Sequence, residues 1–319
     1  MDIPNYITAF KSKELHIKAE TAWKKMKSCS LCPRMCAVNR LADETGFCKT
    51  GKDAILCSYF GHHGEEPPIS GTQGSGTLFF SRCNMHCLYC QNYNFSQLEE
   101  GRPTTIQQLA DYMLKLQDDG CHNINLVTPT HNIAQILKAL ILGIENGLSI
   151  PLVYNTSGYE LPETIRLLDG VIDIYLTDAR YADNQSAIQY SNAPNYPHYN
   201  QESIKEMYKQ VGLLRLDKNG IATKGLIIRH LVLPENIAGT EKIFSFISKE
   251  ISPRATISLM SQYFPTFKAN NNPPLNRHIT AEEYEDAILL LKKYGLNQGW
   301  IQESGGLKRF AGTNIKRNV

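Results

Sequence analysis

The sequence predicts an α/β fold: a partial (βα)6 TIM-like barrel or an open doubly wound sheet, behind an N-terminal Cys-rich module. Three observations lead there. Short apolar runs alternate with amphipathic stretches from residue 77 to about 260, the texture of right-handed parallel βαβ units. The chain has 319 residues, and an α/β barrel takes roughly 200–250 of them as one unit, which leaves room for flanking modules. Seven of the nine cysteines fall in two groups, Cys29, Cys32, Cys36 and Cys48, then Cys83, Cys87 and Cys90. The expected division is 1–74 for an N-terminal helix and Cys-rich metal-binding module, 75–265 for the barrel, and 266–319 for a C-terminal helix and tail.

Taken in order, residues 1–28 read as a polar helix, with Ala19, Ala22, Trp23 and Met26 near helical spacing. Residues 29–74 are rich in Cys, Gly and Pro with little periodicity, a loop-built module that a metal would hold together. Strands are expected at 77–81, 124–127, 152–155, 171–176, 225–232 and 255–260. Helices are expected at 105–117, 132–146, 162–168, 201–211, 241–249 and 281–294. Gly147 supplies a C-cap for the second helix. Thr280 with Glu283 makes a capping box for the last. The aromatic stretch 181–200 follows the fourth strand and reads as a long loop over the barrel mouth, a lid or a docking surface.

Charge and hydropathy exclude several classes. Lys plus Arg is 33 against 31 for Asp plus Glu, a net charge of +2, so no basic excess marks a nucleic-acid binder. Mean hydropathy is −0.31, and no apolar run nears the roughly 18 residues of a membrane span. The first residues lack the basic-then-apolar order of a signal peptide. The expected address is cytoplasmic, with no membrane and no nucleic-acid partner. In that reducing setting, close cysteine spacings mean metal or catalysis rather than disulfides. Cys57 and Cys121 stand apart and read as small buried hydrophobes.

In either fold, chemistry sits at the carboxyl ends of the strands. The strongest signal lies after the first: Arg82-Cys83-Asn84-Met85-His86-Cys87-Leu88-Tyr89-Cys90, spacing C-x3-C-x2-C. Three sulfurs on one loop can hold three irons of a four-iron cube. The fourth iron then stays free to chelate the amino and carboxylate groups of a small molecule. The competing reading is zinc, with His86 as a fourth ligand, although structural zinc sites favour C-x2-C pairs. The earlier group, C-x2-C-x3-C-x11-C, suits a cluster or a zinc ion equally well.

That loop, with Tyr89 before its last cysteine, resembles the radical S-adenosylmethionine (SAM) superfamily. The longer string over residues 64–97, GEEPPISGTQGSGTLFFSRCNMHCLYCQNYNFSQ, resembles its pyruvate formate-lyase activating enzyme-like branch, as does the segment CSLCPRMCAVNRLADETGFC. The likeness runs from Cys29 to the GWIQESGG segment at 299–306. It implies a [4Fe-4S] cluster on Cys83, Cys87 and Cys90 and a barrel of the radical SAM type. SAM would bind the open iron. A flavodoxin- or ferredoxin-like donor would supply one electron, SAM would be cleaved to methionine and a 5′-deoxyadenosyl radical, and the radical would abstract hydrogen from a substrate. Cys29, Cys32, Cys36 and Cys48 would hold an auxiliary cluster or zinc.

The resemblance also assigns strand-end residues. Where the family has Gly-Gly-Glu after the second strand, this chain has Thr128-Pro129-Thr130-His131, so Thr128 and Thr130 become the expected SAM contacts there. Asn155 and Ser157 follow the third strand. Asp178-Ala179-Arg180 resembles the family's Asp-Leu-Lys, and Arg229 matches a family arginine. Met260, Gln262 and Tyr263 stand where the family often places a histidine. His62, His63, Glu65 and Glu66 precede the cluster strand and are candidates near substrate. Each has an ordinary alternative as a turn former, cap or surface ion pair. The expected substrate is a protein or peptide that receives a glycyl radical. The alternatives are a small-molecule substrate, or a non-catalytic iron–sulfur or zinc protein for electron transfer or binding.

Overall fold

The structure is a computed structural model, and it describes residues 3–302. Its strands are β1 (Ala54–His62), β2 (Ser75–Phe80), β3 (Arg102–Thr104), β4 (Ile124–Val127), β5 (Leu152–Thr156), β6 (Ile174–Asp178), β7 (Arg215–Leu216), β8 (Ala222–Leu231), β9 (Thr256–Met260) and β10 (Gln298–Ile301). The sheet order is β10-β9-β8-β6-β5-β4-β2-β1-β3, with β7 beside β8. From β2 through β10 along this order the strands are parallel. This is the partial barrel the alternation predicts, and β2, β4, β5, β6, β8 and β9 correspond to the six expected strands.

Strands β4, β5 and β6 are buried throughout, as strands with both faces covered must be. One face carries Val153 and Asn155 on β5, Ile174, Leu176 and Asp178 on β6, and Ile227 and Arg229 on β8, because side chains alternate with period two. The apolar members of that face pack with Ile69 and Ala222 into a small plug. The polar members lie toward the carboxyl ends, where the site forms. The opposite face packs on the helices and forms the main core.

The expected helices recur with small shifts: Ile106–Asp118, Ile133–Glu145, Pro162–Leu167, Thr240–Phe246 and Ala281–Lys293. Thr280 accepts from the Glu283 N–H and Glu283 accepts from the Thr280 N–H, a complete capping box. Four expectations change. The N-terminal helix is two, Asn5–Lys11 and Glu14–Lys25, broken where Lys13 turns left-handed at φ 66°. The segment 29–74 contains β1, which is antiparallel to both β2 and β3. Stretch 181–200 is no open loop: Asn184–Ser191 is a helix capped by Asp183 on the Ser186 N–H, and Tyr196–Val211 is another with proline in its first turn. Strand β6 starts later than expected, because Val171 is turned by a bond to the Leu168 carbonyl and Asp173 is spent on the Asn5 and Leu152 amides. Residues 303–306 of the GWIQESGG segment, and the basic tail, lie outside the described residues.

Candidate active site

The loop after β2 carries the three thiols. Its entry is fixed by the His131 Nε2, which donates to the Ser81 carbonyl at 2.9 Å, and by the Arg82 N–H on the Phe95 carbonyl at 2.7 Å. Its middle is pinned by Asn84 Nδ2 on the Tyr159 carbonyl at 2.7 Å and by the His86 and Leu88 amides on the Ser191 and Tyr190 carbonyls. Donors aim at each sulfur. Cys83 Sγ accepts from the Met85 N–H at 3.3 Å. Cys87 Sγ accepts from Ser191 Oγ at 3.0 Å and Arg180 Nη1 at 3.4 Å. Cys90 Sγ lies 3.1 Å from Ser96 Oγ. Behind Ser191 runs a hydroxyl chain, Ser191 to Tyr181 to Tyr89, with 2.6 Å at both steps. Burial, then the neighbouring Cys87, pushes the Cys83 thiol up to about 12. Such thiols stay protonated until a metal displaces the protons.

Across from the loop, Asp178 at the end of β6 is gripped by two cations. Arg180 donates to its Oδ2 through Nε at 2.9 Å and Nη2 at 2.6 Å. Arg229 on β8 donates to its Oδ1 through Nε at 2.7 Å. Burial raises the Asp178 pKa, but Arg229 and Arg180 outweigh it and hold the carboxyl below its ordinary value. Arg229 also donates to Asn155 Oδ1 at 2.6 Å and lies 3.7 Å from Glu65. Burial raises Glu65 and Glu66 against the pull of Arg229. A cavity of about 360 Å³ opens beside this group, lined by Glu65, Asn155, Arg229, Gln262, Tyr93 and Phe95 among others. The cluster-loop arginine partner, the strand-end carboxylate and the cavity thus meet on one face.

The remaining expected residues divide. His62 lines the same cavity, whereas His63 packs toward Gly74. Thr128 is left-handed at φ 59°, a costly state for a β-branched residue. Thr130 spends its hydroxyl on Glu160 at 2.5 Å. The Ser157 carbonyl accepts from Tyr196 OH at 2.8 Å, while its hydroxyl is buried and has no partner among the described residues. Tyr89 is buried beneath the loop, edge-on to Tyr263, and Tyr263 donates to the Leu275 carbonyl. Met260 ends β9. Cys57 and Cys121 are buried.

Sequence reasoning missed the sulfur donors Ser96 and Ser191, which no spacing rule ties to the cysteines. It also missed Glu160, wholly buried and hydrogen-bonded by Thr130, Thr156 and Tyr154. Burial pushes its carboxyl up to about 7. Cys29, Cys32, Cys36 and Cys48 line one small cavity of their own.

A parallel partial barrel with three thiols on its first strand-end loop defines a class, the barrel enzymes that keep a metal cofactor at the carboxyl face. The model of the radical SAM superfamily matches residues 77–247, more than half of the chain, and the chain belongs to that superfamily. An uncharacterised protein of Methanocaldococcus jannaschii is 35% identical over 303 residues, covering 92% of this chain and 82% of that protein. Two solved structures are similar at low identity. HydG, a maturase of the [FeFe]-hydrogenase, has a TM-score of 0.49 at 11% identity over 74% of this chain; the match spans about half of HydG, 53%. Methylornithine synthase has a TM-score of 0.46 at 11% identity, over 76% of this chain and 77% of that one.

Membership implies a [4Fe-4S] cluster and SAM, and radical chemistry that cleaves SAM. The residues present fit that pair. Three cysteine sulfurs on one loop each accept or meet a hydrogen-bond donor, as cluster thiolates do. A guanidinium stands between one of them and the strand-end carboxylate. No helix among the described residues is long and apolar enough to cross a membrane.

Proposed function

We propose that the chain is a radical enzyme of the pyruvate formate-lyase activating enzyme-like kind, acting on a protein or peptide segment to install a glycyl radical. The observation that carries this reading is the shared face of the cysteine loop, the Asp178–Arg180–Arg229 group and the adjoining cavity. When bound, the cluster and SAM supply a 5′-deoxyadenosyl radical for hydrogen abstraction. Cys83, Cys87 and Cys90 would hold three irons and leave one corner open. Arg180 and Arg229 offer forked donors for a carboxylate, with Asp178 keeping both oriented. Asn155, Ser157, Thr128 and Thr130 would flank the nucleoside side, and Tyr89 would support the loop from below. At about 360 Å³ the cavity falls within the roughly 300–1,000 Å³ of ordinary ligand pockets. A flavodoxin- or ferredoxin-like donor would deliver the electron, in the cytoplasm.

The test is anaerobic. The reconstituted chain, given dithionite and SAM, should release 5′-deoxyadenosine, and Cys87→Ala should not. A loaded cluster that releases none rejects the radical reading. A glycyl-radical-type acceptor protein should then show the doublet of a carbon radical by electron paramagnetic resonance. Deoxyadenosine release that couples only to small molecules overturns the protein-substrate part.

A further inference from the structure

Four thiols lie outside the region that the family model matches. Cys29, Cys32, Cys36 and Cys48 line one small cavity together with Arg40 and Gly46. The backbone is bent to put them there. Met35 and Ala37, on either side of Cys36, are both left-handed at φ 42° and 57°, a strain that persists only where the surroundings enforce it. A Cβ on Gly46 would fall 2.6 Å from Cys36 Sγ, so glycine keeps that side of the sulfur open. The Phe47 N–H donates to Cys36 Sγ at 3.4 Å.

The telling residue is Arg40, which is 1% exposed. Its Nε donates to the Gly51 carbonyl at 3.1 Å and its Nη1 to the His131 carbonyl at 2.8 Å. Nη1 also lies 4.0 Å from Cys29 Sγ, and Nη2 is buried with no hydrogen-bond partner among the described residues. Its hydrogen-bond partners among the described residues are two carbonyls and a sulfur, none of them a carboxylate. A buried cation needs a counter-charge, and the four thiols border the same cavity as Arg40.

We infer that Cys29, Cys32, Cys36 and Cys48 bind an iron–sulfur cluster, with Arg40 as its buried counter-charge. Each thiol releases its proton to solvent as its sulfur takes an iron. Four thiolates around a [4Fe-4S]2+ core carry two net negative charges, which Arg40 offsets in part. A single zinc ion fits the geometry less well. At about 2.3 Å per Zn–S bond, zinc would draw its sulfurs to within about 4 Å of one another. These four thiols instead border a cavity of their own. Arg34 stands between the two thiol sets: its Nε donates to the Asn84 carbonyl of the radical loop at 2.9 Å, and its guanidinium lies 3.5 Å over the Phe47 ring. The inference stands apart from the proposed activity, because it uses residues outside 77–247.

The experiment uses the full chain with Cys83, Cys87 and Cys90 all changed to alanine, reconstituted anaerobically with iron and sulfide. About four irons and four sulfides per chain should remain, and Cys29→Ala with Cys48→Ala added should remove them. One zinc per chain in place of iron, or no metal, overturns the inference. Should that variant fail to fold, the wild-type count decides: about eight irons support the inference, and about four irons, with or without one zinc, refute it. Arg40→Met in the triple variant should keep the iron and make the reduction potential more negative, since a nearby cation favours the reduced cluster. An unchanged potential removes Arg40 from the site. Loss of SAM cleavage by the wild type would refute the activity and leave these counts untouched.

Discussion

Replacing Asp178 by Asn removes one charge and little volume, so its cost measures how strongly the strand-end group is held by ions. The Asp178 side chain is 7% exposed and accepts three guanidinium N–H groups. Its partners differ: the Arg229 side chain is 17% exposed and that of Arg180 is 27%. Removing one partner of a buried pair costs about 3–5 kcal/mol, because the other charge is left uncompensated. Arg180 can turn toward water, and Glu65 remains 3.7 Å from Arg229. The loss should therefore fall near the low end, about 3 kcal/mol. Anaerobic guanidinium unfolding of the metal-free protein should show a lower midpoint with an unchanged slope. The pH dependence adds a second check. The folded pKa of Asp178 is depressed, so its contribution is complete above the unfolded value near about 3.9 and is lost as pH falls through the lower folded value. The deficit of the variant should stay constant from pH 5 to 8. A loss under about 1 kcal/mol, the size of an exposed pair, would refute the buried ion group.

Glu160 has a folded pKa of about 7, above its unfolded value, so its penalty builds as pH rises between the two; Glu160→Gln should gain roughly 3 kcal/mol relative to wild type between pH 4 and 8, by denaturation at each pH. A flat difference would mean the carboxyl is not neutral when buried. Ser191→Ala removes the 3.0 Å donor to Cys87 Sγ; iron content should hold and the reduction potential of the radical cluster should move negative, whereas an unchanged potential would place the hydroxyl elsewhere. Thr280→Ala breaks the capping box of Ala281–Lys293 and should cost about 1 kcal/mol in thermal or denaturant unfolding, with SAM cleavage kept.

The fold was legible where local pattern and tertiary role coincide. INLV and LVYNT are runs too short for helices, and both become parallel strands with both faces covered; SGTLFF pairs in parallel with β4 on one side and antiparallel with β1 on the other. The capping box at Thr280 needs only two residues, three apart. The failures occur where partners far along the chain decide. Strand β1 takes its place by pairing with β2 and β3, and its run AILCSYFGH lay hidden beside the cysteines. In the 181–200 stretch, Asn, Pro and Tyr suggested a loop. There Asp183 caps one helix, and Tyr196, on the next, donates to the Ser157 carbonyl and ties that helix to the strand ends.

The site divides along the same line. Cysteine spacing singles out Cys83, Cys87 and Cys90 as the proposed ligands, because a cluster imposes its geometry on a short loop, and the family resemblance singles out Asp178, Arg180 and Arg229, which the structure brings together. What spacing cannot reveal is the packing that tunes those ligands. Ser191 reaches Cys87 from more than 100 positions away, and the link runs on through Tyr181 to Tyr89. His131 makes the same point from the opposite side. Its ring holds the Ser81 carbonyl at the entry of the radical loop, while its own carbonyl accepts from Arg40 beside Cys29. Burial holds that imidazole down to about 4, so it stays neutral through the physiological range, and its carbonyl-bound Nε2 keeps its hydrogen. One residue just past β4 thus bonds a neighbour of each thiol set, Ser81 ahead of the radical loop and Arg40 beside Cys29, and the N-terminal cysteines and the radical loop are parts of one packed unit.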